Sequence, residues 1–244
     1  MNTLLNEDCL VAMRKLIDSG VTVDAVLTDP PYGTTKCKWD AIVPLEPMWE
    51  CLNRLIKPHG AIGLFANEPF TSLLIGSNLT GFKYRWDWDK KVPSGMCYAK
   101  YRPMQQTEDI CIFTSSGEKT IYNKQMIKRD KPIVGGGMKD SDTSFANGFK
   151  ALKKTYTHKN PTTLIQYCKI RRGSVHPTQK PVLLMEYLVK TYTNPGDTVL
   201  DFTMGSGTTG VACKHLGRSF VGIELDSKYF EIAKERIDNA EFSG

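Results

Sequence analysis

The tetrapeptide Asp29-Pro30-Pro31-Tyr32 stands at the carboxyl end of a predicted strand, Val23–Thr28. An amine attached to an aromatic ring is a poor nucleophile, because its lone pair is delocalised into the ring. Making it react needs acceptors for its two N–H protons, which push the nitrogen towards a tetrahedral, nucleophilic state. The Asp29 carboxylate and the Pro30 backbone carbonyl supply two such acceptors, and proline holds that backbone rigid. Tyr32 supplies a flat face on which an extruded base can stack. A Pro-Pro loop that closes a strand beside an ordinary surface Asp is the plainer alternative, and the tetrapeptide alone does not separate the two.

A second cluster, Asp201-Phe-Thr-Met-Gly205-Ser-Gly207-Thr-Thr-Gly210, matches G-x-G-x-x-G between a predicted strand and a predicted helix, and Glu224 closes the next strand. Glycines let the backbone approach a nucleotide-like ligand, and the acid accepts hydrogen bonds from ribose hydroxyls. A tight strand–helix turn that needs glycine is the plainer reading here. The pattern fits a nicotinamide dinucleotide and S-adenosylmethionine alike. A dinucleotide fold, however, needs a second nucleotide-binding half, and 20 residues follow Glu224.

The elements that must hold these clusters are read from periodicity. Short strands are predicted at Thr3–Leu5, Val23–Thr28, Ala61–Phe65, Phe82–Asp89, Asp109–Thr114, Thr198–Phe202 and Phe220–Leu225. Helices are predicted at Cys9–Ile17, Leu45–Ile56, Pro69–Asn78, Pro181–Thr193, Gly207–Leu216 and Ser227–Asn239. Strands alternating with helices imply an α/β fold, a doubly wound and mainly parallel sheet covered on both faces. Strands ending near Asp8, Asp29, Asp201 and Glu224 then present their carboxyl ends along one edge, where ligands of open α/β sheets bind. From 116 to about 173 the periodicity fails, with Gly135-Gly-Gly and the polar run Lys139–Thr143, so an irregular insertion is expected there.

Charge is unevenly placed. The net charge is +6, yet residues 115–175 hold 13 Lys/Arg against 4 Asp/Glu, leaving the rest at −3. A solvated loop is the ordinary explanation of a charge run. Here the cations are interleaved with Tyr122, Phe145, Phe149, Tyr156 and Tyr167, a mixture suited to a phosphate backbone. Apolar content of 41% and charged content of 24% suit a soluble globular domain. No uninterrupted apolar run approaches a membrane span. The first residues lack the basic and apolar regions of a signal peptide, so a cytoplasmic protein is expected. Seven scattered cysteines without a C-x-x-C pair read as reduced thiols, and the four histidines lack metal-ligand spacing, so no metal is expected. The deaminase pattern H-x-E with P-C-x-x-C is missing, as is a Pro-Cys nucleophile for methylating a ring carbon.

Together the segments resemble the DNA amino-methyltransferases of beta order, with the catalytic motif first and the cofactor motif last. The resemblance is especially to short adenine-specific modification methylases of bacteria and their phages. Val21–Tyr32 resembles the strand running into D-P-P-Y, and Ile56–Phe65 the strand that follows it. His176-Pro-Thr-Gln-Lys-Pro181 matches H-P-T-x-K-P, and Asp201–Gly207 the D-x-x-x-G-S-G form of the cofactor loop. These matches cover most of residues 4–115 and 174–240.

The resemblance implies a Rossmann-like class I methyltransferase fold with circularly permuted motif order. Its catalytic domain would span 1–114 and 174–244, with an inserted target-recognition region at 115–173. It implies a catalytic pocket of Asp29, Pro30, Pro31 and Tyr32. Gly205, Ser206 and Gly207 would line the methionine part of S-adenosylmethionine, and Glu224 would bind its ribose. Asp8 would contact the cofactor's adenine, although Glu7 stands where the family has Gly. Thr178 and Lys180 would stand near the methionine carboxylate, with Lys180 as a residue leading into a helix the competing reading. Cys9, Asp29, Asp201, Phe202, Thr208 and Leu225 complete the implied cofactor contacts.

The sulfonium already activates the methyl group, so the implied transfer to a flipped base is direct, without metal, and leaves S-adenosylhomocysteine. Double-stranded DNA is the implied partner, and the resemblance also allows a homodimer and a companion restriction endonuclease. Asp rather than Ser before Pro-Pro-Tyr favours adenine over the amine of cytosine. RNA and protein-glutamine enzymes with related loops usually carry Asn first. A nucleotide-binding oxidoreductase would leave Asp29–Tyr32 and the basic segment without a purpose, and a silent DNA-binding module would not need both motifs intact.

Overall fold

A computed structural model describes residues 2–33, 41–115, 119–135 and 154–243. Phe145, Phe149 and the run Lys139–Thr143 lie outside the described residues. Two compact units are present, one of residues 1–123 with 163–244 and one of residues 124–162.

The larger unit is built on an eight-stranded sheet in the order β1-β10-β9-β2-β3-β5-β4-β8. Its strands are β1 (Asn2–Asn6), β2 (Val23–Thr28), β3 (Ile56–Ala66), β4 (Phe82–Ser94), β5 (Gln105–Phe113), β8 (Leu164–Gln166), β9 (Thr198–Asp201) and β10 (Ser219–Glu224). From β1 to β3 every neighbour is parallel, whereas β5 runs antiparallel between β3 and β4. The parallel strands are near-continuous apolar runs because both faces are covered. One face packs α1 (Cys9–Asp18), α2 (Leu45–Leu55) and α3 (Phe70–Ser77), and the other packs α4 (Val182–Tyr192), α5 (Thr208–His215) and α6 (Ser227–Asp238).

Local signals fix the helix starts. The Asp8 carboxylate caps α1 by accepting from the Leu10 and Val11 amides, both at 3.0 Å, and the helix then buries Cys9, Ala12, Met13 and Leu16. Asp226 caps α6 in the same way. Gly207, with φ +75°, turns the chain from β9 into α5.

β4 and β5 are longer than the periodicity indicates. Their pairing continues to Ser94 opposite Gln105, so the polar stretches Lys90–Ser94 and Gln105–Glu108 become strand through cross-strand hydrogen bonds rather than an apolar pattern. The segment expected to be irregular also holds strands. β8 lies parallel to β4 and buries Ile165. In the smaller unit β6 (Ile127–Gly135) pairs antiparallel with β7 (Lys154–Lys159). Every residue of β7 is exposed, which removes the alternation that reveals a half-buried strand.

Strand β4 is tied to α4 by Tyr192. The Trp86 indole donates to the Tyr192 hydroxyl at 2.6 Å, and Tyr84 shares that hydroxyl at 2.8 Å. Tyr192→Phe strands a buried indole N–H, so it is expected to lower stability by about 1–3 kcal/mol in urea denaturation. An unchanged midpoint and slope would show that the indole finds another acceptor.

Candidate active site

The carboxyl ends of β1, β10, β9 and β2 lie side by side, with Asn6 opposite Glu224 and Gly222 opposite Asp201. A cavity of about 970 Å³ opens over them. Every expected site residue lines it except Gly207. Gly207 instead faces α6, and a Cβ there would stand 2.9 Å from the Ala233 Cβ, so its role is packing beneath the loop. His176 and Tyr229 close part of the wall with rings 4.2 Å apart. Burial pushes the His176 imidazole down to about 4, which keeps it neutral. Thr178 turns its hydroxyl to the His176 Nδ1 at 3.1 Å.

The glycine loop is braced by the acid at the end of β10. Glu224 Oε2 accepts from the Gly205 amide and Oε1 from the Asp226 amide, both at 2.8 Å. A carboxylate has about four acceptor positions, so Glu224 keeps capacity for the hydroxyls of a sugar. Arg236 donates to the Ser206 carbonyl and fixes the other side of the loop. Gly205 has φ +52°, and the nearest atoms that a Cβ there would meet are those of the His176 ring, from 3.6 Å. The backbone is therefore open to a ligand at Gly205 and closed by α6 at Gly207.

Asp201, expected among the cofactor contacts, lines the cavity and also holds the neighbouring strand ends. Its Oδ1 accepts from the Thr28 hydroxyl at 2.6 Å and the Thr203 amide at 3.2 Å, and its Oδ2 from the Thr209 hydroxyl at 2.6 Å. Burial raises its carboxyl to about 6, against the donors that favour the ion. A carboxyl held above its unfolded value of 3.8 binds protons more tightly when folded, so its contribution subtracts stability as pH rises through about 6. Asp201→Asn is isosteric and cannot ionise. Its melting temperature should gain on that of the wild type between about pH 4 and pH 7, by the equivalent of about 2–3 kcal/mol. A constant gap across that range would show that burial does not raise the Asp201 carboxyl.

Asp29 is the centre of a buried ionic cluster. Tyr32 donates its hydroxyl to Oδ1 at 2.5 Å, and the Lys180 ammonium lies 2.5 Å from Oδ2. Lys180 was expected beside a carboxylate of the cofactor; the structure gives its ammonium to Asp29 and, at 2.8 Å, to Glu108. Lys90 reaches Glu108 at 3.6 Å, and the Phe65 ring lies beneath Lys180 at 4.8 Å. Burial pushes the Asp29 carboxyl above the usual range, with Lys180 pulling it down and Glu108 adding to the rise. Burial works against the Lys180 ammonium too, but Asp29 and Glu108 outweigh it and its proton is held tightly. The Tyr32 ring stacks on Phe70 at 5.3 Å and leaves its hydroxyl pointing at the two carboxylates. The Asp29 carbonyl accepts from Thr203 at 3.1 Å, which ties the Asp-Pro-Pro-Tyr loop to the glycine loop.

Glu108 and Lys90 are site residues that no sequence motif marked. Both sit in polar stretches of β5 and β4 that lack a strand pattern, so nothing local directed them inward. Among the described residues no group of three or more His, Cys, Asp or Glu is placed to hold a metal ion, and no helix is long and apolar enough to cross a membrane.

Comparison with known proteins gives consistent results. A family model described as DNA methylase matches residues 23–235. The chain is 31% identical to the Type II methyltransferase M.HpaI of Haemophilus parainfluenzae, covering 99% of this chain and 75% of that protein. It is 28% identical to the DNA adenine methyltransferase YhdJ of Escherichia coli (strain K12), covering 98% and 83%. Among solved structures, the M1.HpyAVI–SAM complex is similar with a TM-score of 0.69 and 29% identity, over 97% of this chain and 100% of that one. The PvuII DNA methyltransferase (cytosine-N4-specific) shares the fold at a TM-score of 0.64 and 17% identity, over 96% and 87%.

Proposed function

This chain belongs to the DNA methylase family, and from that premise we propose how its residues carry the reaction. It is a DNA methyltransferase that moves a methyl group from S-adenosylmethionine to the exocyclic 6-amino group of adenine. The single observation that supports this reading best is the Asp29 carboxylate, which lines the same cavity as the glycine loop, with the Asp29 backbone carbonyl tied to that loop by the Thr203 hydroxyl.

The cavity fits the cofactor by its donor set. Gly205 offers open backbone, Glu224 an acceptor for ribose hydroxyls, and Asp8 and Leu225 stand at the ends of the strands where an adenine edge would lie. When bound, S-adenosylmethionine supplies a methyl group already activated by its sulfonium, so the step needs no metal. A base turned out of the duplex stacks on Tyr32 and donates its amine protons to the Asp29 carboxylate and the Pro30 carbonyl. That draws the nitrogen lone pair out of the ring and towards the methyl group. After transfer Asp29 takes the proton that the nitrogen must lose. Phe65 and Trp88 keep the back of the pocket dry, which strengthens each of these contacts.

Segment 115–173 acts as the target-recognition region, its Lys and Arg meeting phosphates of double-stranded DNA. The reaction runs in the cytoplasm. A homodimer and a companion endonuclease extend the proposal and are read by gel filtration and by restriction of unmethylated DNA. The decisive test is mass spectrometry of nucleosides from DNA incubated with the protein and S-adenosylmethionine. N6-methyladenine is the expected product; N4-methylcytosine would keep the mechanism and change the base; neither product on varied DNA would overturn the assignment.

A further inference from the structure

Glu108 belongs to none of the motifs of the proposed reaction, yet it touches both groups that hold Asp29. Its Oε1 lies 2.8 Å from the Lys180 ammonium and 3.2 Å from the Tyr32 hydroxyl, the same two donors that bond Asp29 Oδ2 and Oδ1. It is 7% exposed, and Lys180 is 8% exposed. A buried carboxylate is tolerated only when paired, and here two carboxylates share one ammonium with a second, Lys90, at 3.6 Å from Glu108. The charged groups around Asp29 are thus Lys180 before α4, Glu108 on β5, Lys90 on β4 and Asp201 at the end of β9, with the Tyr32 hydroxyl after β2.

We propose that Glu108 is a positioning residue for methyl transfer: it shares both donors of Asp29, and so offers each a second acceptor when the substrate amine takes its place on the Asp29 carboxylate. The inference rests on the proposed function. At rest Asp29 has a donor on each oxygen. A base amine that donates to Oδ1 competes with the Tyr32 hydroxyl there. Glu108 takes that hydroxyl without leaving it unsatisfied, so the tyrosine ring can stack on the base while its hydroxyl stays bonded. The same carboxylate balances Lys180. Without that second negative charge, the ammonium is left to Asp29 alone and holds it as a tight ion pair, a weaker acceptor for the amine.

The test is the pH profile of kcat with saturating cofactor and DNA. Glu108→Gln keeps the shape of the side chain and an acceptor for Lys180, and removes the charge. Asp29 then stays ionised to lower pH, so the acidic limb should move down by about 1 pH unit and the plateau fall by about tenfold. Lys90→Met leaves Glu108 charged and removes a cation, so the limb should move up. Affinity for S-adenosylmethionine should stay within about twofold in both, because neither residue belongs to the cofactor loop. A merely structural role predicts lost stability and rate with an unmoved limb. A limb unmoved in either variant, or shifted the same way in both, would overturn the proposal; if only one variant folds, the sign of its shift decides. The wild-type protein run alongside keeps the two readings apart: no methylated base there defeats the proposed function and this inference with it, whereas a methylating wild type with an unmoved limb in the variants defeats this inference alone.

Discussion

Asp29→Ala is expected to lose methylation by about 10²–10⁴-fold while still binding S-adenosylmethionine. That loss corresponds to about 3–5 kcal/mol of transition-state stabilisation, the range for a group that accepts from and then deprotonates the reacting atom. The variant should fold. Removing one partner from a buried ion pair is usually costly, by about 3–5 kcal/mol, because it leaves a bare charge. Here Lys180 retains Glu108 at 2.8 Å, so the ammonium stays paired and the fall in melting temperature should be small. The Glu224 carboxylate and the Gly205 backbone lie in another part of the cavity wall, so cofactor affinity should hold within about threefold. Single-turnover methylation and cofactor titration of the same preparation read the two quantities separately. Methylation within tenfold of the wild type would mean that another group accepts the amine protons.

The second large effect is expected at Gly207. Alanine there meets two independent penalties. The residue has φ +75°, a left-handed conformation that costs a residue with a Cβ about 1–2 kcal/mol. The new Cβ would also stand 2.9 Å from the Ala233 Cβ and 3.0 Å from the Ala233 Cα, where backbone must give way. Overpacking of that kind adds about 1–3 kcal/mol, for a total of about 2–5 kcal/mol. For a chain of this size that is a fall of roughly 4–20 °C in melting temperature. Cofactor affinity should fall with it, because α6 carries Arg236, which holds the Ser206 carbonyl. Gly205→Ala separates the two causes. It pays the conformational penalty at φ +52°, but its Cβ meets nothing nearer than 3.6 Å. Its stability should fall by only about 1 kcal/mol while cofactor binding suffers from a methyl group placed in the cavity. Equal melting temperatures for the two variants would show that α6 does not constrain Gly207.

Much of this site is local information. Asp-Pro-Pro-Tyr ends a strand because two prolines cannot continue a ladder, and Gly205 and Gly207 allow a left-handed turn because they lack a Cβ. Such constraints act within a few residues, so they are written in the order of the chain. The apolar runs Val23–Thr28 and Thr198–Asp201 likewise mark strands buried on both faces. The parallel α/β architecture, the Asp-Pro-Pro-Tyr loop and the glycine loop were therefore determined by the sequence itself.

What the tertiary structure decided are the partners of charge. Lys180 lies 151 positions from Asp29, and Glu108 lies 76 from Tyr32, yet one pocket joins all four. Nothing in Gln105-Gln-Thr-Glu108 marks an inward-facing strand; only pairing with β4 turns Glu108 to the pocket. Asp201 shows the same limit, since its place in the motif suggests a ligand but not the three donors from Thr28, Thr203 and Thr209 that also make it a clamp. The physical reason is common to all of them. A backbone conformation is selected by neighbours in sequence, but a buried charge is settled by whichever opposite charge or donor the fold brings within about 3 Å of it.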